Sequence, residues 1–238
     1  MKRFFLCFTL ESDAAFSRGD GLAGEVDSEI QFDELGCPFL SGRALKGILV
    51  NECADLLAAL PNKGYQEAAK RLFGTPGQLD DSGSLLRVGD ARLPADLRSA
   101  LSADLQSRLK REEDRLNPNN LPRRKALVES GFREEILSTL TAIRSQTAIE
   151  EDGVAKDSSL RSRRVILRDT PFEAELIYLG EQIPGDDLAL LAACVAAFRR
   201  AGSYRNRGLG KLKAHLEDEN RQTIPTQTVD ILFAGVKK

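Results

Sequence analysis

Histidine and cysteine are scarce in this 238-residue sequence, and their positions exclude several kinds of site. The one histidine, His215, excludes a ribonuclease mechanism that needs a pair of histidines. The cysteines, Cys7, Cys37, Cys53 and Cys194, form no CxxC pair, which argues against a zinc knuckle and a cysteine-based catalytic centre. Cys7, Cys53 and Cys194 lie in apolar runs, so we expect them to be buried.

Long apolar runs are also missing. No stretch of eighteen apolar residues occurs, so we expect no membrane partner. The apolar N-terminal residues predict a strand rather than a targeting segment, because Glu11, Asp13 and Asp20 follow closely. We therefore expect a cytoplasmic protein, and its content of 42% hydrophobic and 29% charged residues is typical of a globular fold.

A net charge of −2 gives no sign of nucleic-acid binding, but the charges are unevenly distributed. Residues 1–60 contain five basic and ten acidic side chains, whereas residues 161–213 contain ten basic and six acidic ones. A local basic surface can bind phosphates on an acidic protein, because salt screens charges that are more than roughly 8–10 Å away.

Hydrophobic periodicity predicts an α+β fold. The order of elements is compatible with a ferredoxin-like (RRM-like) core in a single domain over residues 1–238, with an inserted helical region at about 94–146. The predicted elements are a strand at 3–10, a loop at 11–38 with a short strand or hairpin near 25–32, helices from Ser41 to Pro61 and at 65–73, a strand at 85–88, the helical region, strands at 164–168 and 172–178, a helix from Pro184 to about Ala201, and strands at 211–216 and 228–233.

The first motif is a glycine-bearing turn that leads into a helix at residues 36–47. Ser41 is the predicted N-cap, and Gly42 follows it. Arg43 and Lys46 are three residues apart and share a helix face. Free backbone amides, the helix dipole and two cations together would bind a phosphate. The alternative is an ordinary loop-to-helix junction with solvated charges.

The second motif is a loop rich in glycine and arginine at residues 202–211. Its glycines let the backbone approach a phosphate, its arginines can grip the phosphate, and Tyr204 could stack on a base. The alternative is a helix C-cap at Gly202 followed by a hairpin turn. The candidate ligands are Gly202, Ser203, Tyr204, Arg205, Arg207 and Gly208.

Two further segments carry charge in loops. Residues 147–161 predict a projecting hairpin with Glu150–Gly153 at its tip, and it is either an arm along a nucleic acid or an exposed hairpin with solvated charges. Its candidate contacts are Thr147, Ile149, Arg161, Arg163 and Arg164. The acidic, glycine-rich loop at residues 18–28 could bind a divalent metal or accept a proton, although most such loops do neither.

Taken in chain order, these segments resemble the RAMP superfamily of CRISPR-associated proteins. The similarity leaves out roughly residues 94–144, and the turn departs from the usual Ile-Pro-Gly-Ser-Ser, since Leu40–Ala44 here is Leu-Ser-Gly-Arg-Ala. The matching motifs are Pro38–Gly47 with its Leu-Lys-Gly step, Leu72-Phe73-Gly74, Val88–Ala91, the thumb-like stretch Thr147–Leu160 followed by Phe172–Leu176, and the glycine-rich Arg205–Gly210.

The resemblance implies a backbone subunit of a type III effector complex, with crRNA, target RNA and neighbouring RAMP subunits as partners. It implies a thumb β-hairpin at about 147–168 and a catalytic aspartate, Asp27, which cleaves target RNA with a divalent metal, Mg²⁺, by attack of a 2′-OH. RNA contacts are expected at Arg18 and at the candidates of the first three motifs. Two alternatives stay open: a purely structural crRNA-binding subunit with an inert Asp27, and an RRM-like interaction module with no CRISPR role.

Overall fold

The computed structural model describes residues 1–21, 26–59, 62–75, 83–114, 121–147 and 160–225. Its elements, in chain order, are β1 (Lys2–Leu10), α1 (Gly42–Ala59), α2 (Lys63–Phe73), β2 (Leu86–Val88), α3 (Ala95–Glu113), α4 (Leu121–Leu140), β3 (Thr141–Gln146), β4 (Arg161–Ile166), β5 (Pro171–Tyr178), α5 (Gly185–Ala197), a 3₁₀ turn (Arg205–Arg207) and β6 (Leu212–Glu217).

Four of the strands form one antiparallel sheet in the order β2-β5-β1-β6. With the segment from α3 to β4 set aside, the chain runs strand, helices, strand, strand, helix, strand, which is the ferredoxin-like connectivity. The α+β, ferredoxin-like prediction is therefore confirmed. The predicted C-terminal strand at 228–233 lies outside the described residues.

One face of the sheet is buried against α1, α2 and α5. Alternation along β1 places Phe4, Leu6, Phe8 and Leu10 on this face, because successive side chains of a strand point to opposite sides. Phe8 stacks on Phe172 with ring centroids 5.2 Å apart. Among the cysteines predicted to be buried, Cys53 and Cys194 are in this core, whereas Cys7 is half-buried on the opposite face.

The inserted region differs from its prediction at its C-terminal boundary. It contains the two helices α3 and α4, but residues 141–146 are a strand, and β3 pairs with β4 in an antiparallel ladder from Thr141–Ile166 to Gln146–Arg161. The base of the predicted thumb hairpin therefore begins at Thr141 rather than at residue 147. The prediction missed this boundary because the six-residue strand follows a polar helix directly, and no change in hydrophobic periodicity marks the transition from helix to strand. The predicted tip at 150–153 lies outside the described residues.

The end of α5 and the start of α1 are two further boundaries that the sequence predicted. The helix predicted to reach Ala201 ends at Ala197, so Gly202 is not its C-cap. Ser41 is the N-cap of α1, as predicted, and its Oγ accepts the amide hydrogen of Ala44 at 3.4 Å. Within the described ranges, no helix combines the length and the apolar character that a membrane span requires.

Asp187 links α5 to α2 and β5, and its removal tests the packing of the core. Its fully buried carboxylate forms an ion pair with Arg71, in which Oδ1 and Nη2 are 2.5 Å apart. Its Oδ2 accepts a hydrogen bond from the Tyr178 hydroxyl at 3.3 Å. We expect Asp187→Asn to lower the free energy of unfolding by about 2–3 kcal/mol, because it removes the anion that pairs with Arg71. The loss is smaller than for a fully buried pair because the Arg71 side chain is 40% exposed.

Denaturant unfolding followed by circular dichroism measures this difference. The matched control is Asp186→Asn, which changes an exposed carboxylate in the same helical turn and should cost less than about 0.5 kcal/mol. Equal effects of the two substitutions would contradict a packing role for Asp187.

Candidate nucleic-acid interface

The acidic loop lies along β4 like an added strand. The Asp27 amide donates to the Ser162 carbonyl oxygen at 3.0 Å, and the Arg164 amide donates to the Ser28 carbonyl oxygen at 3.1 Å. These bonds bring the loop to the base of the two-stranded hairpin β3–β4. Segments that are about 135 residues apart in the chain therefore form one surface.

A buried ion pair fixes this arrangement. The Arg164 Nε lies 3.0 and 3.2 Å from the two carboxylate oxygens of Glu29. Glu29 is fully buried, and the Arg164 side chain is only 12% exposed. Arg164 is predicted from the sequence to contact RNA, and this stays a prediction; in the structure its guanidinium is paired with Glu29 in the interior.

Asp27 itself is half-exposed at the hairpin base, with its side chain 48% exposed. Its Oδ2 accepts the Ser162 amide hydrogen at 2.7 Å and the Ser162 hydroxyl at 3.3 Å. Its Oδ1 lies 4.0 Å from the guanidinium of Arg161, which is predominantly exposed. The Ser162 hydrogen bonds and the nearby Arg161 charge hold the pKa of the Asp27 carboxyl below its usual range. Asp27 is therefore an ionised hydrogen-bond acceptor and a weak base.

Among the described residues, no group of three candidate metal ligands surrounds Asp27. Within the described ranges, the acidic neighbours Asp20 and Glu29 are engaged by Arg18 and Arg164. The one cluster of three candidate metal ligands found among those residues lies elsewhere, on the outer face of the sheet. The predicted metal requirement therefore stays a prediction, and we derive no chemical step through a metal.

The glycine-rich loop contacts the same hairpin base. Its 3₁₀ turn is flanked by Tyr204 and Gly208 in left-handed conformations, with φ values of 60° and 83°. The Arg163 guanidinium carbon lies 3.9 Å from the centre of the Tyr204 ring, and that of Arg207 lies 6.0 Å away. Arg207 Nη1 also donates to the Gln146 side chain at 3.4 Å, at the end of β3. The loop and the hairpin therefore form one contact surface.

Arg163 supports the Tyr204 ring from below. Its exposed fraction is 5%, so its charge is largely withdrawn from solvent. Its buried Nη1 has no hydrogen-bond partner among the described residues. A cation near an aromatic ring is attracted to the ring face, and Tyr204 as a whole remains 37% exposed.

A basic cleft continues this surface across the edge of the sheet. It encloses about 940 Å³ between the first half of α1 and β2, and Arg205 of the glycine-rich loop completes its wall. Two of the predicted motifs, about 160 residues apart in the chain, therefore line the same cleft. Its cationic lining residues are Arg43, Lys46, Arg87 and Arg205, and no acidic residue lines it among the parts of the chain that the structure describes.

The N-terminus of α1 is already occupied by an anion of the protein. The Gly42 amide donates a hydrogen bond to the Asp90 carboxylate at 2.9 Å, so this helix N-terminus already has an anionic partner within the protein. Gly42 is buried, and a Cβ there would lie 2.3 Å from the Val88 carbonyl oxygen. Gly42 therefore has a packing role in the structure, and its predicted RNA contact stays a prediction. Arg43 is exposed, and Lys46 Nζ bonds the Ser84 hydroxyl at 3.2 Å.

The remaining predicted contacts are spread around these two surfaces. Arg18 is exposed but paired with Asp20 at 2.7 Å. Gly202 packs on the Ala15 backbone, and the Ser203 amide bonds the Ala15 carbonyl oxygen at 2.8 Å. Thr147 is exposed at the end of the described hairpin base, whereas Ile149 lies outside the described residues.

Three residues of these surfaces are not predicted from the sequence. Ser162 sits between two arginines that are predicted contacts, and the alternation of β4 was the signal that could have identified it. Arg87 and Gln146 lie on a sheet edge and a strand end that only the tertiary pairing brings to the site.

Comparisons with known proteins indicate the family to which the chain is similar. The family model of the RAMP superfamily matches residues 8–213. A chain of the type III-B Cmr-β complex, solved by cryo-EM with cognate target RNA and also in the apo state, superposes with a TM-score of 0.60, 14% identity, and coverage of 90% of this chain and 96% of that chain. The oligomeric Cmr4 from Pyrococcus furiosus gives a TM-score of 0.49, 14% identity, and coverage of 92% and 98%. No curated protein sequence matches.

The Glu29–Arg164 pair generates a test of how the site is held together. We expect Glu29→Gln to lower the free energy of unfolding by about 3 kcal/mol, because it leaves a buried guanidinium without its anion. Hydrogen exchange should also become faster at the Asp27 and Arg164 amides, which bond across this junction.

The matched control is Asp20→Asn, which removes a solvent-facing carboxylate from the same loop and should cost less than about 0.5 kcal/mol. Unchanged exchange at the Asp27 amide in Glu29→Gln would mean that the pair does not hold the loop on the hairpin.

Proposed function

This chain belongs to the RAMP superfamily, and we propose that it is a crRNA-binding backbone subunit of a type III CRISPR effector complex that also cleaves target RNA. The observation that carries the proposal is the meeting of three segments at one place. The loop of Asp27, the base of the β3–β4 hairpin and the glycine-rich loop share contacts, and the same glycine-rich loop reaches the basic cleft through Arg205.

We assign the guide strand to the basic cleft. Arg43 of α1 and Arg205 of the glycine-rich loop both line the cleft, so a sugar–phosphate backbone in it would meet cations from two segments of the chain. Burial raises the pKa of the nearby Glu52 carboxyl above its usual range. Neighbouring subunits would extend this path along the crRNA.

Tyr204 is the residue proposed to contact a base. Its backbone is in a left-handed conformation, and the guanidinium of Arg163 packs against its ring at 3.9 Å. A rigid aromatic face binds an unstacked base of any sequence, because every base has a π-face. A base that stacks there would leave A-form geometry next to Asp27.

Asp27 is the proposed catalytic residue. In the proposed reaction, the 2′-OH of the target attacks the adjacent phosphate, which leaves a 2′,3′-cyclic phosphate and a 5′-hydroxyl. The lowered pKa of Asp27 suits a carboxylate that accepts a hydrogen bond from the 2′-OH and orients it, rather than one that stores its proton. The Ser162 amide and hydroxyl fix the carboxylate in one orientation.

A second function has its own support. The same Ser162 bonds give Asp27 a structural task, since they fasten the loop to β4 even without RNA. This observation favours a purely structural crRNA-binding subunit in which Asp27 only positions the loop. The two functions differ in whether the negative charge of Asp27 is needed.

Two substitutions of Asp27 distinguish these functions in the assembled complex. Asparagine keeps an oxygen that accepts the Ser162 amide hydrogen but has no charge, whereas alanine loses both. If Asp27 is catalytic, we expect Asp27→Asn and Asp27→Ala each to slow target cleavage by about 10²-fold or more, with target binding unchanged. The measurement is single-turnover cleavage of labelled target RNA, in Mg²⁺ and in EDTA.

The control is Asp20→Asn, a carboxylate in the same loop that is paired with Arg18 and should leave cleavage intact. Full activity of Asp27→Asn together with a defect in Asp27→Ala would favour the structural function. Equal cleavage in EDTA and in Mg²⁺ would contradict the predicted metal requirement.

The basic cleft is tested by its salt dependence. We expect Arg43→Ala and Arg205→Ala each to weaken crRNA binding several-fold and to reduce the slope of log affinity against log salt by about 0.7, because each removes one phosphate contact with a single strand. Arg123→Ala, an exposed arginine on α4, is the control and should change neither quantity. Unchanged slopes in both cleft variants would place the crRNA elsewhere.

A further inference from the structure

A cysteine, a histidine and a glutamate meet on the face of the sheet opposite the helices. Cys7 and His215 are direct partners across the β1–β6 ladder, and Glu217 lies two residues farther along β6 on the same face. The His215 Nε2 is 3.0 Å from Glu217 Oε1, and the three donor atoms all lie within 4.8 Å of one another. The rigid pairing of the two strands therefore preforms a ligand set.

A fourth residue orients the glutamate. Arg221 Nη1 lies 3.4 Å from Glu217 Oε2 and 3.0 Å from Glu173 Oε2. Its guanidinium carbon is 3.6 Å from the centre of the Phe5 ring, which fixes its position. Arg221 thus engages Glu217 Oε2, and Oε1 is directed toward His215. Residues behind a metal ligand commonly orient a ligating carboxylate in this way.

We propose that this cluster binds one zinc ion through Cys7 Sγ, His215 Nε2 and Glu217 Oε1, with water as the fourth ligand. Zinc takes sulfur, nitrogen and oxygen ligands in tetrahedral geometry, which separates donor atoms by about 3.4–3.6 Å. The donors need side-chain movements of about 1 Å to reach that spacing. The site goes beyond the proposed RNA function, and it shares no residue with the cleft or with the Asp27 region.

The ligand chemistry selects the class of metal. Thiolate and imidazole favour zinc and related transition ions, whereas Mg²⁺ prefers oxygen ligands throughout. Cys7 lies about 200 residues away in the chain from His215 and Glu217, so a search for short cysteine and histidine spacings does not find this set.

The test is a titration of the metal-free, full-length protein with Co²⁺, which reports zinc sites through visible ligand-field bands and a thiolate-to-cobalt charge-transfer band in the near ultraviolet. We expect one Co²⁺ per chain, a charge-transfer band, and displacement by equimolar Zn²⁺ but not by millimolar Mg²⁺. Cys7→Ser should abolish the charge-transfer band, and His215→Ala should weaken binding at least tenfold.

Two control variants separate this site from binding elsewhere on the protein. Lys213→Ala alters an exposed residue next to the cluster on the same strand face, and Cys37→Ser alters a buried thiol outside the cluster, so both should bind Co²⁺ like the parent protein. His215 is exposed, so its replacement leaves the fold intact and keeps the test informative if Cys7→Ser is unstable. A titration without a charge-transfer band, or a band that survives in Cys7→Ser, would overturn the proposal.

Discussion

The buried pair of Glu29 and Arg164 is the interaction on which the geometry of the proposed RNA-binding surface depends. A carboxylate without solvent exposure is stable only when its charge is matched, so Glu29 requires Arg164, and the two residues hold the acidic loop and β4 in one register. That register sets which loop residue faces Ser162 and therefore where Asp27 lies. The Thr141 hydroxyl, 3.4 Å from Arg164 Nη1, extends the same network to β3.

The charge distribution shows how an acidic protein presents a basic surface. Several carboxylates near the proposed RNA-binding region are neutralised within the fold, such as Asp20 by Arg18 and Asp90 by Arg92 and the Gly42 amide. The cleft beyond them is lined by cations, with no acidic lining residue in the described ranges. Net charge therefore says little about this chain, because a nucleic acid responds to the charges within a Debye length.

Local signals in the sequence predicted the elements that are determined locally. Ser41 before an apolar 3.6-residue period was sufficient for α1, and the aromatic, β-rich composition of residues 3–10 was sufficient for β1. The sequence could not show that Arg163 lies beneath Tyr204 or that Arg164 is paired internally, because an arginine in a strand has the same pattern whether its partner is a phosphate or a distant glutamate. The strand β3 was missed for the related reason that its pairing with β4, not its own period, defines it.

The junction between α4 and β3 has a mechanical consequence. The strand begins at Thr141, immediately after the last helical residue, Leu140, and no loop separates them. The Leu167 amide bonds the Leu140 carbonyl oxygen at 3.0 Å, and the Thr141 hydroxyl bonds the Leu137 carbonyl oxygen at 2.5 Å. Because no flexible linker separates them, α4 and β3 form one continuous stiff unit, and a displacement of the helix end would be transmitted directly to the first strand of the hairpin.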